Sequence, residues 1–246
     1  MSQKQVFVLQ EWLKGAKDLL FPPSCFVCSV SMVGTACGIC SDCLQNVSLI
    51  SSPQCPVCGR EISDSAAGDH LCGSCLRKTP PYLSARGIAH YQEPVASLLQ
   101  RLKYQGDTTV LPVLQEIIAL GAYGEPAEED RIIPVPLHIR RLRQRGFNQA
   151  LLLAQIFFPE RIDCILVDTL QRTRHTIPQT GLDGIARRKN MSRAFSVRNA
   201  REVRGKKIIL VDDVYTTGTT VAECSRALLS AGAREVHVLT LARVRE

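Results

Sequence analysis

Hydrophobic positions divide the chain into three stretches of different rhythm. Val8, Leu9, Trp12, Leu13, Ala16, Leu19 and Leu20 share one helical face. They predict an amphipathic helix within residues 1–20 that docks on the body of the protein. Residues 21–80 show no such period and hold few large apolar side chains, and Pro80-Pro81 marks their end. Beyond that point helical and extended patterns alternate. Residues 82–91 read as extended. Pro94–Lys103 and Thr109–Leu120 read as helices; Val95, Leu98, Leu99 and Leu102 line one face of the first, Gly106-Asp107 ends it, and Pro112 suits the first turn of the second. A linker at 121–130 carries four acids. A strand over Arg131–Val135, a helix over Asn148–Phe158 and an extended run over Cys164–Val167 follow. A basic stretch at 171–195 with Pro and Gly reads as a loop and a short helix. Then come a strand over Lys207–Val211, a helix over Val221–Ala231 closed by Gly232, and a strand over Val236–Leu241. This alternation predicts an α/β fold, a mainly parallel sheet with helices on both faces. Ligands of such sheets sit beyond the C-terminal strand ends. The organisation expected is a helix at 1–20, a cysteine-rich module at 21–80 and the α/β domain at 81–246.

Charge sharpens this picture. The net charge is +7, yet residues 131–207 hold 17 Lys or Arg against five Asp or Glu, a local +12. Such a block suits a strongly anionic ligand, either diphosphate-bearing or nucleic acid. No stretch approaches the ~18 apolar residues of a membrane span. Glu11, Lys14, Lys17 and Asp18 interrupt any secretory core near the start. A cytoplasmic protein without membrane insertion is expected.

Eleven cysteines in such a setting point to metal thiolates rather than disulfides. Eight form four Cys-x-x-Cys pairs: Cys25/Cys28, Cys40/Cys43, Cys55/Cys58 and Cys72/Cys75, with 11, 11 and 13 residues between pairs. Each pair supplies a knuckle, and two knuckles close a tetrahedral site. Pairing in chain order gives a double zinc ribbon with about two structural zinc ions. Closed four-thiolate sites leave no position for a reactive water. Gly59 suits the positive φ that follows a second ligand. Cys37 stands three residues before Cys40 and competes for the first site. Cys164 and Cys224 lie in apolar contexts and read as core. The module is poor in Lys and Arg, which weakens a nucleic-acid role for it.

The most specific run is Ile208-Ile-Leu-Val-Asp-Asp-Val-Tyr-Thr-Thr-Gly-Thr-Thr220. A buried strand is followed by two carboxylates, a hydroxyl-rich loop and a helix start. Asp212 and Asp213 can accept hydrogen bonds from two neighbouring ribose hydroxyls. Thr216, Thr217, Thr219 and Thr220 can donate to a phosphate, and Gly218 lets backbone approach it. The helix N-terminus adds unpaired N–H groups. The run resembles the 5-phosphoribosyl-1-diphosphate (PRPP) motif of type I phosphoribosyltransferases. Two basic segments can serve the diphosphate. One carries Arg140, Arg141, Arg143 and Arg145 just past a strand end, with Arg145 beside Gly146 the first choice and Arg140 a second contact. The other runs from Arg172 to Phe195, includes Arg187, and can close over a ligand.

Together with Leu20-Phe-Pro-Pro-Ser-Cys25, Leu102-Lys-Tyr-Gln-Gly-Asp107, Pro134-Val-Pro-Leu137, Arg145-Gly-Phe-Asn-Gln149 and Ala194-Phe195, these motifs make the chain resemble the ComF family. The resemblance spans nearly the whole chain. It implies a zinc ribbon ahead of a type I phosphoribosyltransferase-like domain, in bacteria that take up DNA by natural competence. It implies that Asp212 and Asp213 hold the ribose hydroxyls, that 216–220 seat the 5-phosphate, and that Mg²⁺ bridges diphosphate and ribose oxygens. Three functions follow as expectations: transfer of the 5-phosphoribosyl group to an unidentified acceptor, PRPP sensing without chemistry, or an accessory role on single-stranded DNA beside competence machinery proteins.

Overall fold

The computed structural model describes residues 23–32, 38–62, 68–124, 127, 130–173 and 194–245. The helix expected within 1–20, Cys37, Arg187 and most of the basic stretch at 171–195 lie outside them.

Four strands form one parallel sheet: β1 (Ser84–His90), β2 (Arg131–Pro134), β5 (Lys207–Tyr215) and β6 (Glu235–Arg243), in the order β1-β6-β5-β2. The short strands β3 (Leu170–Arg172) and β4 (Phe195–Val197) pair antiparallel beside it. Helices α1 (Ser41–Gln45) and α2 (Gly73–Arg77) belong to the cysteine module. In the α/β part, α3 (Val95–Gln100), α4 (Leu111–Leu120), α5 (Ile139–Arg145), α6 (Gln149–Phe157), α7 (Ala200–Val203) and α8 (Thr219–Ser230) follow in chain order.

The sheet is buried on both faces because side chains alternate along each strand. Ile209 and Val211 of β5 enter one core with Leu98, Leu99, Ile117 and Phe157 from α3, α4 and α6. Ile208 and Leu210 enter the other with Val221, Cys224 and Leu228 from α8. Such apolar runs suit strands with no solvent face. The cysteine module covers the edge at β1. Leu49 bridges Ala89 antiparallel, Ile50 N–H donates to Ile88 O at 2.9 Å, and Ala85 N–H donates to Val57 O at 2.7 Å. An edge strand otherwise left unpaired is thereby satisfied.

Two sequence expectations change, and the extended run expected over Cys164–Val167 is met from Ile165 on: Cys164 closes a 3₁₀ turn over Pro159–Cys164, Ile165 is extended and bridges Ile132 in parallel, and Leu166 N–H donates to Ile132 O at 2.8 Å. The helix expected to run to Lys103 ends at Gln100 and continues as a π turn over Arg101–Gln105, closed by Gly106 at φ +69°. Strand β5 does not stop at Val211 but passes through both carboxylates to Tyr215, held by pairing with β6 up to Tyr215 beside Arg243.

Candidate functional site

Strand β2 ends at Pro134, opposite Val211, so the last four residues of β5 overhang their neighbour. Asp212 and Asp213 lie in this overhang. Alternation sends their side chains to opposite sides. Asp213 follows Ile209 and Val211 toward the π turn, where Lys103 Nζ stands 3.0 Å from its Oδ1. Its Oδ2 is buried with no hydrogen-bond partner, a spare acceptor for a ligand hydroxyl. Asp212 follows Ile208 and Leu210 toward α8, and its Oδ1 accepts the Asp213 backbone N–H at 2.9 Å. Burial and the neighbouring Asp213 carboxylate push the Asp212 carboxyl up to about 7, with Lys103 and Arg172 pulling it back.

That shift has a testable sign. A carboxyl raised from 3.8 to about 7 favours the protonated form in the fold. The associated stability is complete below 3.8 and disappears as pH rises through 7. Asp212→Asn is therefore expected to gain on the wild type between pH 5 and pH 8, by on the order of 1 kcal/mol once solvent screening of a part-exposed group is allowed for. Urea unfolding at both pH values checks this; a gap that does not widen with pH refutes it.

Beside Lys103 lies a cleft of about 550 Å³ lined by Lys103, Tyr104, Gln105, Gly106, Arg141, Gln144 and Arg145. Among the described residues its lining is cationic or neutral, without a carboxylate. The arginine segment is the helix α5 rather than a loop, and His138 Nδ1 caps it by accepting Arg140 N–H at 3.2 Å. Helical spacing puts Arg141, Gln144 and Arg145 on one face, at i, i+3 and i+4. Arg140 is turned to solvent instead. Arg145 lines the cleft: it donates to Gln149 Oε1 at 3.0 Å and sits 5.6 Å over the Tyr104 ring. Arg140 is not among the residues that line the cleft, whereas Arg141 is.

The loop at 216–220 opens α8. Thr216 and Thr217 are exposed, and the Thr217 and Thr219 hydroxyls are 2.9 Å apart. Gly218 caps the helix at φ +70°, with its Cα pressed on the Tyr215 ring. Gly218 itself adds no side chain at the start of α8, where first-turn amides can face an anion.

The cysteines gather as their spacing predicts. Cys25, Cys28, Cys40 and Cys43 form one group and Cys55, Cys58, Cys72 and Cys75 another, each with its Sγ atoms within 4.8 Å of one another. Cys28 and Cys40 Sγ are 3.7 Å apart, and Cys58 and Cys72 Sγ 3.6 Å apart. A zinc tetrahedron with bonds of about 2.3 Å has edges of about 3.8 Å, so the sulfurs fit that ion. Backbone N–H groups point at them: Val27 and Cys40 donate to Cys25 Sγ at 3.5 Å, and Cys72 to Cys55 Sγ at 3.4 Å. Gly59 has φ +71° after the third knuckle, as expected, and Ser29 takes φ +61° after the first.

Two family descriptions match the chain: "Double zinc ribbon domain" over residues 16–76 and "Phosphoribosyl transferase domain" over residues 144–246. Competence protein F of Haemophilus influenzae is 35% identical over 212 residues, which cover 84% of this chain and 90% of that protein. DNA utilization protein YhgH of Escherichia coli O157:H7 is 35% identical over 232 residues, 92% of this chain and 99% of the relative. This chain belongs to the ComF family. A more distant relative, competence protein ComFC of Bacillus subtilis, is 28% identical over 83% of this chain and 84% of its own length. The ComF architecture of two four-cysteine groups followed by a phosphoribosyl transferase domain is thus present, and the domain calls for a ligand of the PRPP type. Among the described residues no helix is long and apolar enough to cross a membrane.

Sequence reasoning did not single out Lys103, and it left Arg141 unranked among four candidate arginines. Lys103 lies within the Leu102–Asp107 motif, but no spacing rule ties it to Asp213, 110 positions later. Arg187 lies outside the described residues.

Proposed function

We propose that the chain is a phosphoribosyltransferase: it binds PRPP and transfers the 5-phosphoribosyl group to an acceptor, with residues 81–246 as the transferase domain and 21–80 as the ribbon module. The observation that carries this reading is the overhang of β5. It sets a carboxylate with a spare buried acceptor, Asp213, between a hydroxyl loop at a helix N-terminus and a cleft with Lys103, Arg141 and Arg145 on its walls. A phosphorylated ribose with a diphosphate at C1 presents matching groups in that order. The 5-phosphate takes the 216–220 loop, the ribose hydroxyls take Asp213 and Asp212, and the diphosphate takes the cationic cleft.

In the reaction the C1–O bond breaks, its electron pair leaves with the diphosphate, and an acceptor lone pair forms the new bond at C1. Charge builds on the departing oxygens, where Lys103, Arg141 and Arg145 stabilise it in place. Among the described residues the cleft lining offers Mg²⁺ no carboxylate; an ion that arrived with the diphosphate would add charge neutralisation beside Lys103, Arg141 and Arg145. Zinc in the two four-cysteine groups holds the module together, since about 60 residues with little apolar content need a metal to fold. The relatives' names favour a place for this chemistry in DNA uptake and use by the cell.

Arg145→Ala tests the assignment. It is expected to cut diphosphate release from PRPP by about tenfold to a hundredfold, the worth of a charged hydrogen bond. Ribose 5-phosphate, which has no diphosphate, should bind within about twofold of wild type as measured by calorimetry. Equal losses in both assays refute the placement. The runner-up reading, an accessory protein on single-stranded DNA, draws on the basic block at 131–207. It takes over when no panel of bases and amines gives diphosphate above hydrolysis while single-stranded DNA binds with a steep salt slope.

A further inference from the structure

The two cysteine groups do not lie at equal distances from all parts of the site. Each reaches a different wall of it, through one arginine.

The first group meets the π turn that carries Lys103. Phe26 sits inside its first knuckle, and Gly38 at φ +74° leaves just enough room for the Phe26 ring. Phe26 N–H donates to Gly38 O at 2.8 Å, which fixes the ring relative to Cys40. Arg101 opens the π turn. Its guanidinium lies 4.8 Å over the Phe26 ring, and Nη1 donates to Phe26 O at 3.4 Å. The same side chain donates to Asp107 Oδ2 from Nη2 at 2.7 Å and from Nε at 3.1 Å. Asp107 closes the turn from its other end. Arg101 thus ties both ends of the segment that presents Lys103, Tyr104 and Gln105 to the cleft, and anchors them on the first knuckle.

The second group meets the loop at 216–220. Arg243, the last residue of β6, is buried and stands opposite Tyr215 in register. Its Nη1 donates to Cys58 O at 2.5 Å, and Nη2 lies 4.0 Å from Cys58 Sγ. Four thiolates on one divalent ion carry a formal excess of about two negative charges, which offsets a buried guanidinium. The other face of Arg243 stacks 4.3 Å over the Tyr215 ring. Tyr215 Oη meets Tyr82 Oη at 2.6 Å, both buried, and the ring forms the floor under Gly218. Cys58, Arg243, Tyr215 and Gly218 are therefore consecutive contacts, from metal ligand to phosphate loop.

We propose that the two ribbons are the outer supports of the two halves of the site: the first ribbon positions the diphosphate wall through Arg101, and the second positions the 5-phosphate loop through Arg243 and Tyr215. The proposal rests on the functional reading above for the names of the two halves, but not for the couplings themselves. Arg101 and Arg243 are positioning residues: neither lines the cleft beside Asp213, and Arg243, which shares a neighbouring cavity with Thr217, Gly218 and Thr219, is 5% exposed with its guanidinium held by Cys58 O and the Tyr215 ring.

The test is a crossed pair of variants in the full zinc-loaded chain, each titrated by calorimetry with ribose 5-phosphate and with inorganic diphosphate plus Mg²⁺. Zinc content is measured alongside. Arg243→Met should weaken ribose 5-phosphate by at least about fivefold and leave diphosphate within about twofold; Arg101→Met should do the reverse. Tyr82→Phe, which keeps the ring and removes one hydroxyl, should follow Arg243→Met in direction. Loss of both ligands in both variants, or of neither, overturns the proposal. Hydrogen exchange separates this outcome from failure of the functional reading. If the wild type binds neither ligand, faster exchange confined to 215–222 in Arg243→Met and to 101–109 in Arg101→Met still supports the couplings, while the phosphate and diphosphate assignments fall. Unchanged exchange at both segments overturns the couplings.

Discussion

Lys103→Met is expected to destabilise the fold by about 3 kcal/mol, and adding Asp213→Asn to that variant should recover most of the loss. The Lys103 and Asp213 side chains retain 16% and 8% of their exposure, so water screens the pair little. Removing the lysine strands a buried carboxylate whose second oxygen already has no partner. Breaking such a pair costs far more than replacing both members, because the penalty is the uncompensated charge and not the lost attraction. Asp213→Asn alone should cost less, about 1 kcal/mol, since a lysine on a flexible stem can turn its ammonium toward the open cleft. Urea unfolding of the two single variants and the double variant gives the coupling energy directly. Additive losses mean that the two side chains do not share a buried interaction. The cycle also reports on function, because the same lysine faces the cleft assigned to diphosphate.

The parts of this molecule legible in the sequence are those governed by local pattern. The run at 208–220 announces a buried strand, two acids, a left-handed glycine and a helix start through residue types alone, and the fold contains each of them. The cysteine knuckles are equally local, since two thiolates one turn apart leave little freedom in how they pair. The rest depends on contacts that sequence does not mark. Helix α5 has no buried residue, so no apolar stripe reveals its phase, and without a phase four arginines in six positions cannot be told apart. The π turn at 101–105 follows a hydrogen-bonding register with no sequence period, which hides Lys103. Carboxylates are poor strand formers, and the extension of β5 through Asp212 and Asp213 comes from pairing with Thr240 and its neighbours on β6. Arg243 reads on paper as one more terminal arginine; only the return of β6 beside Tyr215 gives it a buried place against Cys58.

Gly218→Ala is expected to lower ribose 5-phosphate affinity by about a hundredfold while costing the fold only about 1–2 kcal/mol. Gly218 holds φ +70°, which an L-residue adopts at a cost of about 1–2 kcal/mol. Space is the second obstacle, and the one that falls on ligand binding, because the loop relieves it by moving. A Cβ at this position falls within contact distance of Tyr215 Oη and its ring carbons. The ring cannot withdraw cheaply, because Tyr82 Oη holds it at 2.6 Å on one side and Arg243 covers its face at 4.3 Å. The loop must therefore rise from Tyr215, and it carries the first-turn amides of α8 and the Thr217 and Thr219 hydroxyls with it. Phosphate recognition at a helix N-terminus depends on several N–H groups converging on one point. A displacement of about 1 Å spoils that convergence and costs on the order of a hundredfold. The body of α8 remains packed through Val221, Cys224 and Leu228, so thermal unfolding should shift by only about 2–8 °C. Calorimetric titration with ribose 5-phosphate, paired with a melting curve of the same preparation, separates the two effects. An unchanged affinity in the Gly218→Ala variant means that the phosphate does not sit on this loop, whatever the variant does to stability.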